Sequence, residues 1–199
     1  MIPGGKSSPL AVLSRWQSAS LIALVCLLAF AKDTLAQDTA WERYSQDGIK
    51  AYKQGRDSEA ERLLRLAVKE SEQFGANDLR VAQSLRNLAM VLDARENYAE
   101  AESVQRRVLS IKEKVLGQNH REVASTLNDL GVLCYDQAKY AEGEACYRRA
   151  LEIDESMSES ERGDIATTLE NYAKLLRKLN RPSEAEQMSA RAQSVRAAR

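Results

Sequence analysis

An all-α solenoid of four helix-turn-helix units is the fold this sequence predicts, and three observations predict it. The chain repeats itself: Glu59-Ala60-Glu61, Glu100-Ala101-Glu102, Glu142-Gly143-Glu144 and Glu184-Ala185-Glu186 recur at offsets of 41, 42 and 42 residues. A fixed period of this size marks stacked structural units rather than one folded-up core. Within each unit apolar residues return at i, i+3, i+4 and i+7, the stripe of an amphipathic helix. Ala, Leu, Glu, Arg and Lys dominate the 199 residues, while Gly (9) and Pro (3) are scarce, which favours helix throughout.

Residues 1–36 differ in kind. Met1–Gln17 carries Lys6 and Arg15 and no acid, and Ala19–Ala31 is an uncharged apolar run of 13 residues. Thr34-Leu35-Ala36 then places small residues ahead of Gln37-Asp38. This is the layout of a secretory signal peptide over 1–36, cut after Ala36, preceding a repeat domain over 37–199. The apolar run falls short of the ~20 residues that a membrane span needs. An uncleaved signal anchor is the alternative. Val25 before Cys26 argues against a lipoprotein site. The expected location is therefore exported, periplasmic or secreted, with a membrane-anchored form as the alternative.

The four units fall at approximately 41–74, 82–115, 124–157 and 166–199. Their first (A) helices carry Val81, Leu85, Leu88, Ala89 and Leu92 in the second unit, then Val123, Leu127, Leu130, Gly131 and Cys134 in the third. The fourth offers Ile165, Leu169, Tyr172, Ala173 and Leu176, and the first diverges to Trp41, Tyr44, Gly48 and Ala51. Second (B) helices begin after Gly55-Arg56-Asp57, Glu96-Asn97, Ala138-Lys139 and Arg181-Pro182-Ser183. Asp57, Asn97 and the Arg181–Ser183 stretch are expected to supply caps and a first-turn proline. The paired glutamates then sit in the first turn, where the helix dipole favours them, and Arg191, Arg196 and Arg199 close the last helix with the matching charge.

Small residues recur at two places, Gly48, Ala89, Gly131 and Ala173 on A helices and Ala60, Ala101, Gly143 and Ala185 on B helices. They predict close approach of the two backbones, with Tyr98 and Tyr140 filling the turn. The last helix, with Met188, Ala192 and Val195 between polar residues, is expected to cap the stack or support weak self-association. In an antiparallel pair turning near Lys139, Cys134 would face Gly143 and Cys146 would face Gly131. That register is one turn out for a disulfide, so both cysteines read as packing residues.

The 29 basic and 29 acidic residues balance, which points away from nucleic acid and anionic membranes. His120 is the only histidine and reads as loop structure; it has no cluster of metal ligands around it in the sequence. No Gly-rich phosphate loop and no nucleophile–base pair is present. No catalytic residue, metal or cofactor is therefore expected, and the chain reads as a non-enzyme.

The large–Leu–small pattern on the A helices (Leu85, Leu88-Ala89; Leu127, Leu130-Gly131), the Ala or Gly opening the B helices, and the later Leu64 and Tyr147 followed by Ala67, Val108, Ala150 and Ala192 resemble the tetratricopeptide repeat. The ordinary repeat is ~34 residues; the extra length lies between units. There, Leu116-Gly117-Gln118-Asn119-His120-Arg121-Glu122-Val123-Ala124 is similar to the kinesin-light-chain subclass, and Phe74–Ala82 repeats the loop with Asp78 at the His120 position. The resemblance implies a right-handed superhelix and a non-catalytic interaction module whose A-helix groove takes a peptide segment of a protein partner. Groove positions carried over are Gln83, Arg86, Asn87, Met90 and Asp93, then Ser125, Asn128, Asp129, Val132 and Tyr135, then Thr167, Glu170, Asn171, Lys174 and Arg177. Asn87, Asn128 and Asn171 would hold a peptide backbone, and Lys174 with Arg177 would attract an acidic ligand end. A membrane-tethered scaffold assisting assembly of a membrane complex is the alternative function.

Overall fold

The computed structural model describes residues 40–157 and 165–197. Among them there are eight helices and no strand: α1 over 40–53, α2 (Asp57–Ser71), α3 (Leu79–Ala94), α4 (Tyr98–Leu116), α5 (Arg121–Asp136), α6 (Tyr140–Glu155), α7 (Ile165–Lys178) and α8 (Pro182–Ala197). A single 3-10 turn, Glu72–Phe74, follows α2. Each odd helix packs against the even one after it, and each even helix against the next unit. The expected signal peptide over 1–36, the loop before α7 and Arg199 lie outside the described residues. No described helix is long and apolar enough to cross a membrane.

The hairpins close in one way. Gly55, Glu96, Ala138 and Asn180 all adopt φ between 56° and 71°, at the period of the sequence repeat. After each, an amide returns to a carbonyl five residues back: Arg56 to Ala51, Asn97 to Leu92, Lys139 to Cys134 and Arg181 to Leu176, at 2.8–3.0 Å. This is the left-handed C-terminal motif that satisfies orphan helix carbonyls. Only the first turn uses glycine, so the hairpin geometry outweighs the steric cost of a Cβ at the other three.

The expected caps are corrected. Asp57 lies inside α2, whose N-cap is Arg56, and Asn97 holds the N-cap position without bonding the backbone. Asn97 donates instead to Glu100 at 2.9 Å. Side-chain caps occur at the inter-unit loops. Asp78 accepts from the Arg80 amide at 2.8 Å, and His120 Nδ1 from the Glu122 amide at 3.1 Å. Each loop opens on a glycine with positive φ, Gly75 at 109° and Gly117 at 89°. The Gly-x-x-Asp/His spacing is thus a helix stop followed by a helix start. Pro182 is the first residue of α8, as expected.

The small residues do bring the backbones together. A Cβ on Gly131 would lie 2.4 Å from Tyr147 Cε1, and one on Gly143 would lie 3.3 Å from the Gly131 carbonyl. The Gly143 position also receives Leu175 of the next unit, at 2.8 Å from such a Cβ. Ala60, Ala101 and Ala185 are fully buried at the equivalent sites. Tyr98 and Tyr140 pack at the turns. On α8 only Ala185 and Ala192 are buried, with Met188 and Val195 partly buried against the core that α8 shares with α6 and α7.

The second glutamate of each of the first three pairs joins units. Glu61 takes Arg65 of its own helix and Arg95 of the next unit at 2.8 and 2.7 Å. Glu102 takes Arg106 and Lys139, both at 2.7 Å, and Gln137 at 2.9 Å. Glu144 takes Arg148 and Arg181, and accepts from the Tyr172 hydroxyl at 2.8 Å. Lys112, buried on α4, reaches Glu122 and Thr126 at the start of α5. Arg191 and Arg196 pair with Glu155 and Glu170 of preceding helices, so the basic end of α8 is part of the same lacing.

Two outcomes test this architecture. Gly131→Ala should lower stability by about 1–3 kcal/mol, because the buried Tyr147 ring must move; an unchanged urea midpoint would show that the ring has room. Lys139, then Arg106 and Gln137, hold the Glu102 carboxyl down to about 2. Its contribution is complete above the usual carboxylate range and is lost as pH falls toward that value. Glu102→Gln should therefore be about 1.5–3 kcal/mol less stable near neutral pH. Between about pH 5 and 2 it should lose less stability than wild type in urea unfolding.

Candidate peptide-binding groove

The A helices α3, α5 and α7 carry the predicted groove positions. Between α3, α4 and α5 they form a pocket of about 230 Å³ lined by Arg86, Asn87, Ala89, Met90, Asp93, Gln105, Asp129, Val132 and Leu133. Arg86, Asn87, Met90, Asp93, Asp129 and Val132 were expected there from the sequence. Gln105, Ala89 and Leu133 were not. Gln105 comes from a B helix, and its polarity at a buried position was the signal that pattern reading passed over.

The walls differ in chemistry. Met90 is 39% exposed and forms an apolar rim with Val132. Deeper, Gln105 Nε2 donates to Asp129 Oδ2 at 3.1 Å, while Arg86 Nε approaches the same oxygen at only 3.5 Å. Burial pushes the Asp129 carboxyl up, against the opposing pull of Arg86. Asp93 is pushed up by burial and by the neighbouring Asp136 and Asp129. Gln105 Oε1 is buried and accepts from no described group.

The asparagines expected to hold a peptide backbone are engaged within the protein. Asn87 is buried and accepts from Gln83 at 3.0 Å. Asn171 donates to Asn128 at 3.1 Å, and Lys174 lies 3.5 Å from the Asn171 oxygen. Consecutive A helices meet at a separation of 43 residues: Trp41 donates to Ser84 at 2.7 Å, Arg86 pairs with Asp129, and Asn171 with Asn128. Asn128 is thus the counterpart of Arg86, and Asn171 of Asp129.

The remaining positions are dispersed. Ser125 is exposed and Thr167 half-buried. Tyr135 packs beside Tyr140, ring centroids 5.9 Å apart. Glu170 pairs with Arg196, and Arg177 donates to Ser189 at 2.9 Å.

The cysteine register is corrected. Cys134 does face Gly143, with 3.4 Å between its Cβ and one built on the glycine, but Tyr147 rather than Cys146 covers Gly131. Cys134 and Cys146 are both free thiols, close enough that each affects the other's titration. Side chains on an α-helix lean toward its N-terminus. In an antiparallel pair the two cysteines therefore lean together across the missing Gly143 side chain, which closes the one-turn offset. The Cys134 sulfur also lies within 4.8 Å of the Glu102 and Glu142 carboxylates. Arg106 bridges both acids and Lys139 binds Glu102, so protein cations already neutralise this cluster.

Tetratricopeptide repeat family models match residues 81–122 and 122–198. BtubC (BKLC) from P. vanneervenii is similar in structure, with 27% identity and a TM-score of 0.76 over 81% of this chain. The match spans 65% of BtubC, just under two thirds of that chain. Kinesin-light-chain TPR-like repeats from Podosopora anserina match at 16% identity and a TM-score of 0.68, over 78% of this chain and 74% of that one. Pseudomonas aeruginosa PilF matches at 19% and 0.61, over 80% and 63%. The last two show the fold alone. No curated protein sequence matches the chain.

The thiol pair makes a prediction. The neighbouring Cys134 thiol holds the Cys146 thiol below its ordinary range, whereas Cys146 and burial push Cys134 up. Iodoacetamide should label Cys146 first near neutral pH and reach Cys134 only on unfolding, as peptide mass spectrometry would show. Equal labelling of both in the native protein would contradict the arrangement.

Proposed function

The chain belongs to the tetratricopeptide repeat family, with repeats of the kinesin-light-chain kind, and on that premise we propose that it holds a peptide segment of a protein partner in its A-helix groove, outside the cytoplasm. Repeats of this family mediate protein–protein interaction. The observation that carries the finer reading is the convergence of Arg86, Asn87, Met90, Asp93, Asp129 and Val132 on one pocket between successive A helices. A pocket with an apolar rim and a polar floor suits a peptide side chain. The role needs no catalysis, metal or cofactor. The apolar run Ala19–Ala31 supports export and equally supports the second reading, in which that run stays as a membrane anchor and the chain is a tethered scaffold for a membrane complex.

Crosslinked capture from native extracts tests the groove. Wild type is compared with Met90→Arg, a rim change chosen because Asn87, Asn128 and Asn171 are engaged within the protein. A partner held by wild type and lost by a variant of equal helicity and melting temperature is the expected result. A partner held equally by both would move the site off this face. Intact mass of the native protein separates the two locations: loss of residues 1–36 is expected for export, and the full 22.2 kDa for an anchor.

A further inference from the structure

We propose that the pocket between α3, α4 and α5 is a specificity subsite for a lysine or arginine side chain of the partner peptide, an inference that rests on the groove reading above. Three observations select that occupant. The floor offers acceptors in excess: the Asp93 and Asp129 carboxylates and the buried Gln105 Oε1, which no described donor reaches. Gln105 is only 2% exposed. An amide oxygen buried without a partner is costly, and Gln105 is among the residues that line the opening. Lysine and arginine are the side chains that bring donors and no acceptor.

The in-chain cation does not fill this role. Arg86 lies at the surface with 47% of its side chain exposed, and it approaches Asp129 at the long distance of 3.5 Å. The Asp93 carboxylate has neither an ion pair nor a hydrogen bond among the described residues, and its charged neighbours are acids. A cation entering the pocket would meet two carboxylates that burial already disfavours in charged form.

The walls match the rest of such a side chain. Ala89, Met90, Val132 and Leu133 give an apolar sleeve for a methylene stem, which lysine and arginine lay along apolar surface while the head finds polar partners. The volume, about 230 Å³, is below the ~300–1,000 Å³ of small-molecule sites. It suits one side chain rather than a cofactor.

The test uses an immobilised random nonapeptide library in which lysine, arginine, norleucine, glutamate and leucine are compared at each position. Norleucine keeps the stem of lysine and lacks its charge. Wild type should enrich lysine or arginine at one position by about tenfold or more over norleucine. Asp93→Asn with Asp129→Asn, at unchanged helicity, should abolish that preference while still capturing peptides. The wild-type comparison decides the matter even if the double variant fails to fold. Capture of peptides with no basic preference, or with preference for glutamate, would overturn the subsite and leave the groove standing. Basic enrichment that survives in the folded double variant would place it elsewhere. Capture of no peptide by wild type would overturn the groove reading and the subsite together.

Discussion

The close approach of two backbones within each unit is the constraint on which the rest depends. At the Gly131–Gly143 crossing no side chain separates the helices, and the Gly131 carbonyl would sit 3.3 Å from a Cβ on Gly143. Interiors are packed too densely to absorb an extra methyl there without displacement. The same crossing leaves a gap that Tyr147 fills from one side and Leu175 of the next unit from the other. Packing within a unit and between units is therefore one arrangement. The small residue that lets a hairpin close also makes the socket into which the following hairpin docks. This accounts for the regular placement of small residues on both helices.

Electrostatics follows the same geometry. Once hairpins stack at a fixed spacing, the second glutamate of each of the first three pairs stands between an arginine one turn along its own helix and a cation from the next turn region. Exposed ion pairs each contribute little. Glu102 and Glu144 are more enclosed, and each holds three partners. Among the described residues Glu186, in the fourth unit, forms no ion pair. The reading that placed these acids by helix dipole was adequate for Glu59, Glu100, Glu142 and Glu184. For the second glutamates it missed the larger cause.

The repeat units, the amphipathic faces and the small-residue crossings were legible because they are periodic, and period is visible in one dimension. The turns were partly legible. The positive φ of Glu96 and Ala138 carries no glycine to announce it, and Asp57 and Asn97 look like caps although the left-handed turn leaves them no capping role. Contacts between units were not legible. A period of 42 says which residues are equivalent, not which of them touch. The observed separation of 43 on A helices follows from the stagger of one hairpin on the next, and it pairs Asn128 with Asn171, two asparagines that the family resemblance turned toward a ligand. The cysteine pair escaped for a similar reason, since helix register alone omits the lean of the Cβ atoms.

That stagger also explains why the groove is uneven. The three rungs between A helices are chemically unequal although their positions are equivalent. Trp41 meets Ser84, whose own hydroxyl continues to the Arg80 carbonyl. Asn171 meets Asn128, an amide pair in which donor and acceptor match. The middle rung sets a surface guanidinium against a half-buried carboxylate at 3.5 Å, with a buried glutamine already on that oxygen. An arginine reaching from the rim cannot serve both Asp129 and Asp93, and no described donor serves Gln105 Oε1. The helix positions that close the outer rungs thus leave the central one open and short of donors. In a solenoid whose units are alike in backbone, discrimination between ligands has to come from such local mismatches, because the backbone presents the same face at every repeat.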